Sequence, residues 1–175
     1  EGVRMGALVG CSQREDVISQ VEKLSDESEM VYGSTSNSDL SLVGANAEVG
    51  TFMSPILLRV KDSSSAVKVH EIEAFGPVSS LMSYNKVEEA VELAKKGKGS
   101  LCCSITTHDR SVATEFVRNA ASMHGRILVL DRECAKESTG HGSPLPLLVH
   151  GGPGRAGGGE EMGGLRGVKH YMQRT

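Results

Sequence analysis

The sequence predicts an α/β fold: a three-layer α/β/α arrangement with a mostly parallel sheet. Two observations predict it. Short apolar runs alternate with segments of helical apolar spacing between residues 78 and 130, and such alternation gives parallel strands joined by right-handed crossovers. The 175 residues, 38% of them hydrophobic, also suffice for the core of one ordinary domain.

The first helix is predicted to begin near Ser12. Residues 12–15 have the capping-box pattern, in which a serine precedes a glutamate by three positions. Apolar residues then recur at helical spacing, which indicates a helix of about three turns with one face against a sheet: Val17, Ile18, Val21 and Leu24. A short strand is expected at 30–32, followed by an exposed loop at 33–39 that is rich in Ser, Asn and Gly.

A second strand is predicted over residues 50–60, where Pro55 indicates a sheet edge or a bulge. Further strands are expected at 78–84, 100–106 and 126–130. The helix between the first two should be capped by Asn85 with Glu88, and Lys95–Gly97 should end it. Another amphipathic helix is predicted over 112–120 and should end near Gly125.

The segment 70–78 carries the most informative chemistry. In extended backbone, residues i and i+2 point to the same face, so Glu73 and Phe75 can present a carboxylate and a ring to one ligand. Gly76 gives the backbone freedom to turn, and Pro77 keeps Gly76 out of the helical region. A carboxylate beside a ring suits a sugar diol next to a heteroaromatic base. The alternative is a surface charge and a core Phe at the entrance of a strand.

The last third of the chain is rich in glycine. Residues 131–150 have no clear period and are predicted to be a long loop on the substrate side. Residues 151–167 contain nine glycines. Gly152–Gly157 matches GxGxxG, but it follows two prolines rather than a clear strand, which favours a tight backbone crossing over a dinucleotide fingerprint. Residues 168–175 are predicted to carry a final helical turn into the start of a C-terminal strand.

Charge and cysteine content narrow the function classes. A net charge of −3, without a basic patch, argues against nucleic acid or an anionic membrane as a partner. No apolar run has the length of a membrane span. The four cysteines show neither disulfide-framework nor metal-site spacing, which predicts a cytoplasmic protein without a metal. The first residue is Glu1, and we expect the chain to be a piece of a longer polypeptide.

Glu73–Val78 resembles the E-x-F-G-P-V motif of the aldehyde dehydrogenase superfamily, and the likeness extends along nearly the whole chain. Residues 50–55, 100–105 and 152–165 resemble other segments of the catalytic domain of that family. The resemblance implies that Glu73 holds the ribose hydroxyls of a nicotinamide cofactor, NADP or NAD, and that Phe75 lines the nicotinamide. Gln13 falls near a position where some members place a glutamine against the cofactor.

A narrower resemblance points to the substrate. Residues 124–127, 135–146 and 150–161 are similar to bifunctional members of phenylacetate catabolism, in which the dehydrogenase is fused to a MaoC-like hydratase. This likeness implies oxidation of a CoA-linked semialdehyde to the acid through a cysteine thiohemiacetal, with NADP. CoA thioesters are therefore expected substrates, and the full-length parent is expected to be a homo-oligomer.

The same resemblance implies that residues 1–175 are part of a catalytic domain. The nucleophilic Cys, the general-base Glu and the Rossmann cofactor domain are expected before residue 1, and the hydratase after residue 175. No catalytic residue is then expected within the chain, and the segment alone should be inactive. The alternative is a non-catalytic α/β binding or oligomerisation module, which the absence of a nucleophile and the strand expected at the end of the chain would favour.

Overall fold

The structure is a computed structural model that describes residues 3, 5–36, 40–134, 136–138, 151–157, 165–170 and 172. The chain divides into two compact units, residues 1–83 and 84–175. The first contains α1 (Cys11–Leu24), β1 (Ser28–Tyr32), β2 (Ile56–Val60), α2 (Lys68–Glu71) and β3 (Val78–Leu81). The second contains α3 (Val87–Lys95), β4 (Ser100–Thr106), α4 (Arg110–Ala120), β5 (His124–Leu130) and α5 (Leu165–His170).

The sheet of the first unit has β2 at its centre. β1 pairs with β2 in antiparallel orientation, with Met30 opposite Leu58, and β3 pairs with β2 in parallel. Inward side chains of β2, the apolar stripe of α1 and one residue of the segment before β2 form one buried cluster: Val17, Val21, Leu24, Met53, Ile56 and Leu58. The helical spacing read from the sequence is therefore confirmed for α1, and the short strand expected at 30–32 is β1.

Three local predictions in this unit are wrong. α1 is capped by Gly10 without a side-chain hydrogen bond, so Ser12 lies inside the first turn and the capping box does not form. The strand predicted over 50–60 starts only at Ile56, because Pro55 has no N–H for a ladder and the Thr51 carbonyl accepts from Leu8 N–H instead. The strand predicted over 78–84 ends at residue 81.

A pair of serines joins the two ends of the connection between β1 and β2. Ser54 Oγ accepts from the Ser34 N–H at 3.0 Å and donates to the Ser34 carbonyl at 2.9 Å. Both partners are partly buried. The two bonds hold the connection together next to the strands that it joins.

The short helix α2 has no clear sequence signal, and a distant carboxylate provides its cap. Glu27 accepts from the N–H groups of Val67 and Lys68, the latter at 2.8 Å. The Lys68 ammonium also pairs with Asp26, and this hydrogen bond raises the pKa of Lys68 and lowers that of Asp26. The turn before β1 thus fixes the helix that leads into segment 70–78.

Asp62 organises the turn between β2 and α2. Its carboxylate accepts from the Ser64 N–H and from the hydroxyls of Ser64 and Ser65, the two hydroxyl bonds both being 2.7 Å. These bonds, led by that of the Ser64 side chain, lower the pKa of Asp62 to about 2. Asp62 is solvent-exposed, so the turn depends on hydrogen bonds to the ionised form rather than on burial.

The turn predicts an acid-dependent loss of stability. Because the pKa of Asp62 is lower in the folded chain than in the unfolded one, its stabilising effect is complete above the unfolded value of 3.8 and is lost as pH falls towards 2. We expect the difference in free energy of unfolding between wild type and Asp62→Asn to shrink between pH 6 and pH 2. Urea unfolding at constant ionic strength measures it. Ser65→Ala should give a smaller pH-dependent difference, and an equal difference at both pH values would contradict this account.

The second unit confirms the strand–helix–strand pattern around α4. β4 and β5 are parallel neighbours, with Cys103 opposite Ile127. α3 and α4 bury Val91, Phe116 and Ala120 against this pair of strands. The α/β class with parallel neighbours is therefore confirmed, and the strand predicted at 100–106 agrees with β4 at both ends.

Two predictions in the second unit are wrong. The Asn85 side chain does not cap α3: the cap residue is Lys86, and the Asn85 N–H donates to Glu89 rather than Glu88, at 2.8 Å. The helix predicted to end near Gly125 ends at Ala120, and Gly125 lies within β5. Residues 168–170 belong to α5, in agreement with the helical turn expected before the C-terminal strand. Residues 171 and 173–175 lie outside the described residues, as do residues 135 and 139–150 of the predicted substrate-side loop.

The glycine-rich segment crosses closely over the start of β4. The Arg155 N–H donates to the Lys98 carbonyl at 2.9 Å. A Cβ at Gly152 would lie 2.6 Å from the Ser100 carbonyl oxygen, and one at Gly125 would overlap the Gly151 carbonyl oxygen. The interpretation of Gly152–Gly157 as a backbone crossing is confirmed.

Candidate functional site

Segment 72–78 follows α2, and its first residue, Ile72, has extended backbone with φ −96° and ψ 124°. Exposure then alternates along the chain: Ile72 and Ala74 pack against the core of the first unit, whereas Glu73 and Phe75 are exposed. Alternation of this kind places residues i and i+2 on one side of the backbone. The predicted pairing of a carboxylate and a ring on one face agrees with this pattern.

Phe75 does not belong to the core. Its exposed fraction is 73%, against 7% for Phe116 in the second unit. The alternative interpretation, a core Phe at a strand entrance, is therefore wrong. The carboxylate of Glu73 is exposed too, so both groups are accessible to a ligand.

The turn that follows is tightly built. The Gly76 N–H donates to the Ala74 carbonyl at 2.7 Å, and the Val78 N–H donates to the Gly76 carbonyl at 2.8 Å. Gly76 does not have a positive φ. A Cβ there would instead lie 2.7 Å from Val17 Cγ2, so glycine is required by the close approach to α1 rather than by backbone freedom.

Two further hydrogen bonds connect the turn to its surroundings. The Pro77 carbonyl accepts from the Ile56 N–H at 2.8 Å, at the start of β2. The Phe75 carbonyl accepts from Gln13 Nε2 at 2.9 Å, and Gln13 Oε1 accepts from the Val9 N–H at 3.0 Å. The structure thus brings the three predicted site residues, Gln13, Glu73 and Phe75, into one region of the first unit, with Gln13 attached to the backbone.

The sequence does not reveal one close pair in the second unit. Arg126 Nη2 donates to Cys102 Sγ at 3.0 Å, and parallel pairing of β4 with β5 brings these residues together. Cys103, the next residue, faces the core, and burial raises the pKa of its thiol. The hydrogen bond from arginine and the burial give these two thiols different surroundings.

The described part of the chain has neither a metal-binding cluster nor a membrane-spanning helix. No group of three or more His, Cys, Asp or Glu side chains there could hold a metal ion. Nor is any helix in that part both long and apolar enough to cross a membrane.

Comparison with protein families shows to which family the chain belongs. The model of the aldehyde dehydrogenase family matches residues 1–175. The chain belongs to the aldehyde dehydrogenase family.

Two curated relatives are similar to most of this aldehyde dehydrogenase chain. "Protein MaoC" of Klebsiella aerogenes is 52% identical over 98% of the chain and 49% of its own length. A "3,4-dehydroadipyl-CoA semialdehyde dehydrogenase" of Aromatoleum evansii is 38% identical over 87% of the chain and 29% of its own length. The chain therefore spans half or less of these relatives.

A solved structure supports the fold. A betaine aldehyde dehydrogenase from Staphylococcus aureus, in complex with NAD+, matches with a TM-score of 0.75 and 20% identity. The match covers 97% of this aldehyde dehydrogenase chain and 30% of the solved one.

Proposed function

We propose that this chain is the part of an NAD(P)-dependent aldehyde dehydrogenase that orients the nicotinamide end of the cofactor. The observation that carries the proposal is the exposed pair Glu73 and Phe75 on one side of a turn whose backbone is fixed to α1 and β2. Membership of an enzyme family favours this function over a non-catalytic binding or oligomerisation module.

The chemistry of the two side chains fits the cofactor. An ionised carboxylate has two acceptor oxygens and can receive hydrogen bonds from both hydroxyls of a ribose. An aromatic ring with 73% of its surface exposed can pack against the nicotinamide. When bound, the nicotinamide supplies the hydride acceptor for oxidation of an aldehyde.

Positioning is the contribution that we assign to this segment. Glu73 would fix the ribose, and Phe75 would limit the places that the nicotinamide ring can occupy. Correct placement of reacting groups can provide about 7–11 kcal/mol of a barrier in favourable cases, and these residues would supply a share of it. The turn can do so because Ile72 and Ala74, on its other side, pack into the core.

We propose a CoA-linked semialdehyde of phenylacetate catabolism as the substrate, oxidised to the acid in the cytoplasm. The relative whose name specifies 3,4-dehydroadipyl-CoA semialdehyde supports the substrate class, and the relative named MaoC fits the bifunctional type. We further propose NADP or NAD as cofactor, a cysteine thiohemiacetal as intermediate and a homo-oligomeric parent. None of the cysteines in this chain is assigned as the nucleophile.

The Glu73→Gln variant tests the function. The amide keeps the size of the side chain but loses the charge that strengthens hydrogen bonds from hydroxyl donors. In the intact dehydrogenase, we expect kcat/KM for NADP+ to fall about 10- to 100-fold, as the loss of a charged hydrogen bond predicts. Steady-state kinetics with varied NADP+ measures it, in parallel with NAD+.

Glu15→Gln is the matched control, because Glu15 is an exposed carboxylate of α1 in the same unit. It should leave both kcat/KM and the melting temperature at wild-type values. If Glu73→Gln has wild-type kinetics with both nucleotides, Glu73 does not hold the cofactor.

A further inference from the structure

We infer that Gln13 is a positioning residue that holds the backbone of Phe75, and through it the aromatic ring, in place for the cofactor. The inference rests on the proposed function of Glu73 and Phe75. It differs from direct contact between Gln13 and the cofactor, because both ends of the Gln13 amide are bonded to protein backbone.

The two hydrogen bonds determine the orientation of the amide. Gln13 Oε1 lies 3.0 Å from the Val9 nitrogen, a donor, and Nε2 lies 2.9 Å from the Phe75 carbonyl oxygen, an acceptor. Rotation of the amide by 180° would place two donors together and two acceptors together. The amide therefore has one orientation that satisfies both partners.

Helix α1 supports the turn at two points one helical turn apart. Gln13 bonds to the carbonyl of Phe75, and Val17, four residues later, contacts the next residue, Gly76. Residues i and i+4 lie on the same face of a helix. Val17 is 1% exposed and belongs to the core cluster, so the position of this face is fixed by the packing of the unit.

The backbone is the part of Phe75 that the protein can hold. With 73% of Phe75 exposed, few side-chain contacts restrict its ring, and the placement of the ring depends on its main chain. Removal of the Gln13 bond would leave the Phe75 carbonyl without that donor, while the ring and the Glu73 carboxylate would remain chemically unchanged.

Gln13→Glu separates the two halves of the bridge. A carboxylate still accepts from the Val9 N–H, so the start of α1 keeps its bond, but it cannot donate to the Phe75 carbonyl. Gln13→Ala removes both bonds. Ser12→Ala is the matched control, since Ser12 is an exposed neighbour in the same helical turn.

The experiment uses the intact dehydrogenase and two measurements without aldehyde. Titration of NADPH by its fluorescence gives the dissociation constant, and hydrogen–deuterium exchange reports on the Gly76 amide. We expect Gln13→Glu to weaken NADPH binding and to accelerate exchange at Gly76, each roughly five-fold, as loss of one hydrogen bond predicts. KM for the aldehyde at saturating NADP+ should stay constant, and Ser12→Ala should match wild type.

Two results for Gln13→Glu would overturn the inference. The first is faster exchange at Gly76 with unchanged NADPH binding. The second is weaker NADPH binding with unchanged exchange, and this second result would indicate direct contact between Gln13 and the cofactor. If Gln13→Ala fails to fold, Gln13→Glu alone decides. Glu73→Gln, measured in parallel, separates the two proposals. If it weakens NADPH binding while Gln13→Glu does not, the bridge fails and the proposed function stands; if it has no effect, the proposed function fails.

Discussion

Substitution of Gly125 by alanine is expected to lower the free energy of unfolding by about 3 kcal/mol. The added Cβ would overlap the Gly151 carbonyl oxygen and lie 2.9 Å from the Leu101 carbonyl oxygen. Both obstacles are backbone atoms, so the clash can be relieved only by moving β4 or the glycine-rich segment. Urea unfolding monitored by circular dichroism measures the loss.

Gly97→Ala provides the control in the same unit. A Cβ at this position meets Ser100 Oγ at 3.7 Å, which is an ordinary contact. The change should therefore alter the free energy of unfolding by less than about 0.5 kcal/mol. A Gly125→Ala protein as stable as Gly97→Ala would mean that the crossing is looser than the structure indicates.

Truncation of Leu58 to alanine is expected to cost about 3–4 kcal/mol of unfolding free energy. Leu58 is fully buried, lies in the central strand of its sheet and belongs to the cluster that includes the α1 stripe. The loss combines the transfer free energy of the removed methyl groups with the cavity left behind. Because Ile72 and Ala74 pack against the same cluster, hydrogen exchange in segment 72–78 should also accelerate.

Leu81→Ala is the matched control on the neighbouring strand. Leu81 is 54% exposed at the end of β3, so its truncation should cost less than about 1 kcal/mol. The comparison uses one chemical change at two depths in the same sheet. Equal losses at the two positions would contradict the assignment of Leu58 to the core.

Periodic signals in the sequence predicted the main elements well. The spacing of Val17, Val21 and Leu24 identified the buried face of α1, and the apolar runs identified β4 and β5. These patterns are readable because burial of one face imposes a regular repeat on neighbouring residues. The same reasoning identified the shared face of Glu73 and Phe75.

The ends of the helices and strands depend on hydrogen-bond partners that are far away in sequence. The strand at 50–60 was shortened because the Thr51 carbonyl bonds to Leu8, and α2 was missed because Glu27 supplies its cap from 40 or more positions earlier. Around the site, Gln13 and Phe75 are 62 positions apart. No local pattern encodes such pairings, so the exposed side of the turn was predictable and its support was not.

The hydrogen-bonded pair Ser34 and Ser54, which joins the two ends of the β1–β2 connection, has an evolutionary consequence. Because Ser34 and Ser54 join the two ends, extra residues inserted beside the exposed Gly44 need not shift β2 or the turn at 75–78. Loop entropy opposes such growth only weakly, by about 0.6 kcal/mol for each doubling of length. This connection can therefore become longer at little cost in stability, while the turn at 75–78 keeps its support.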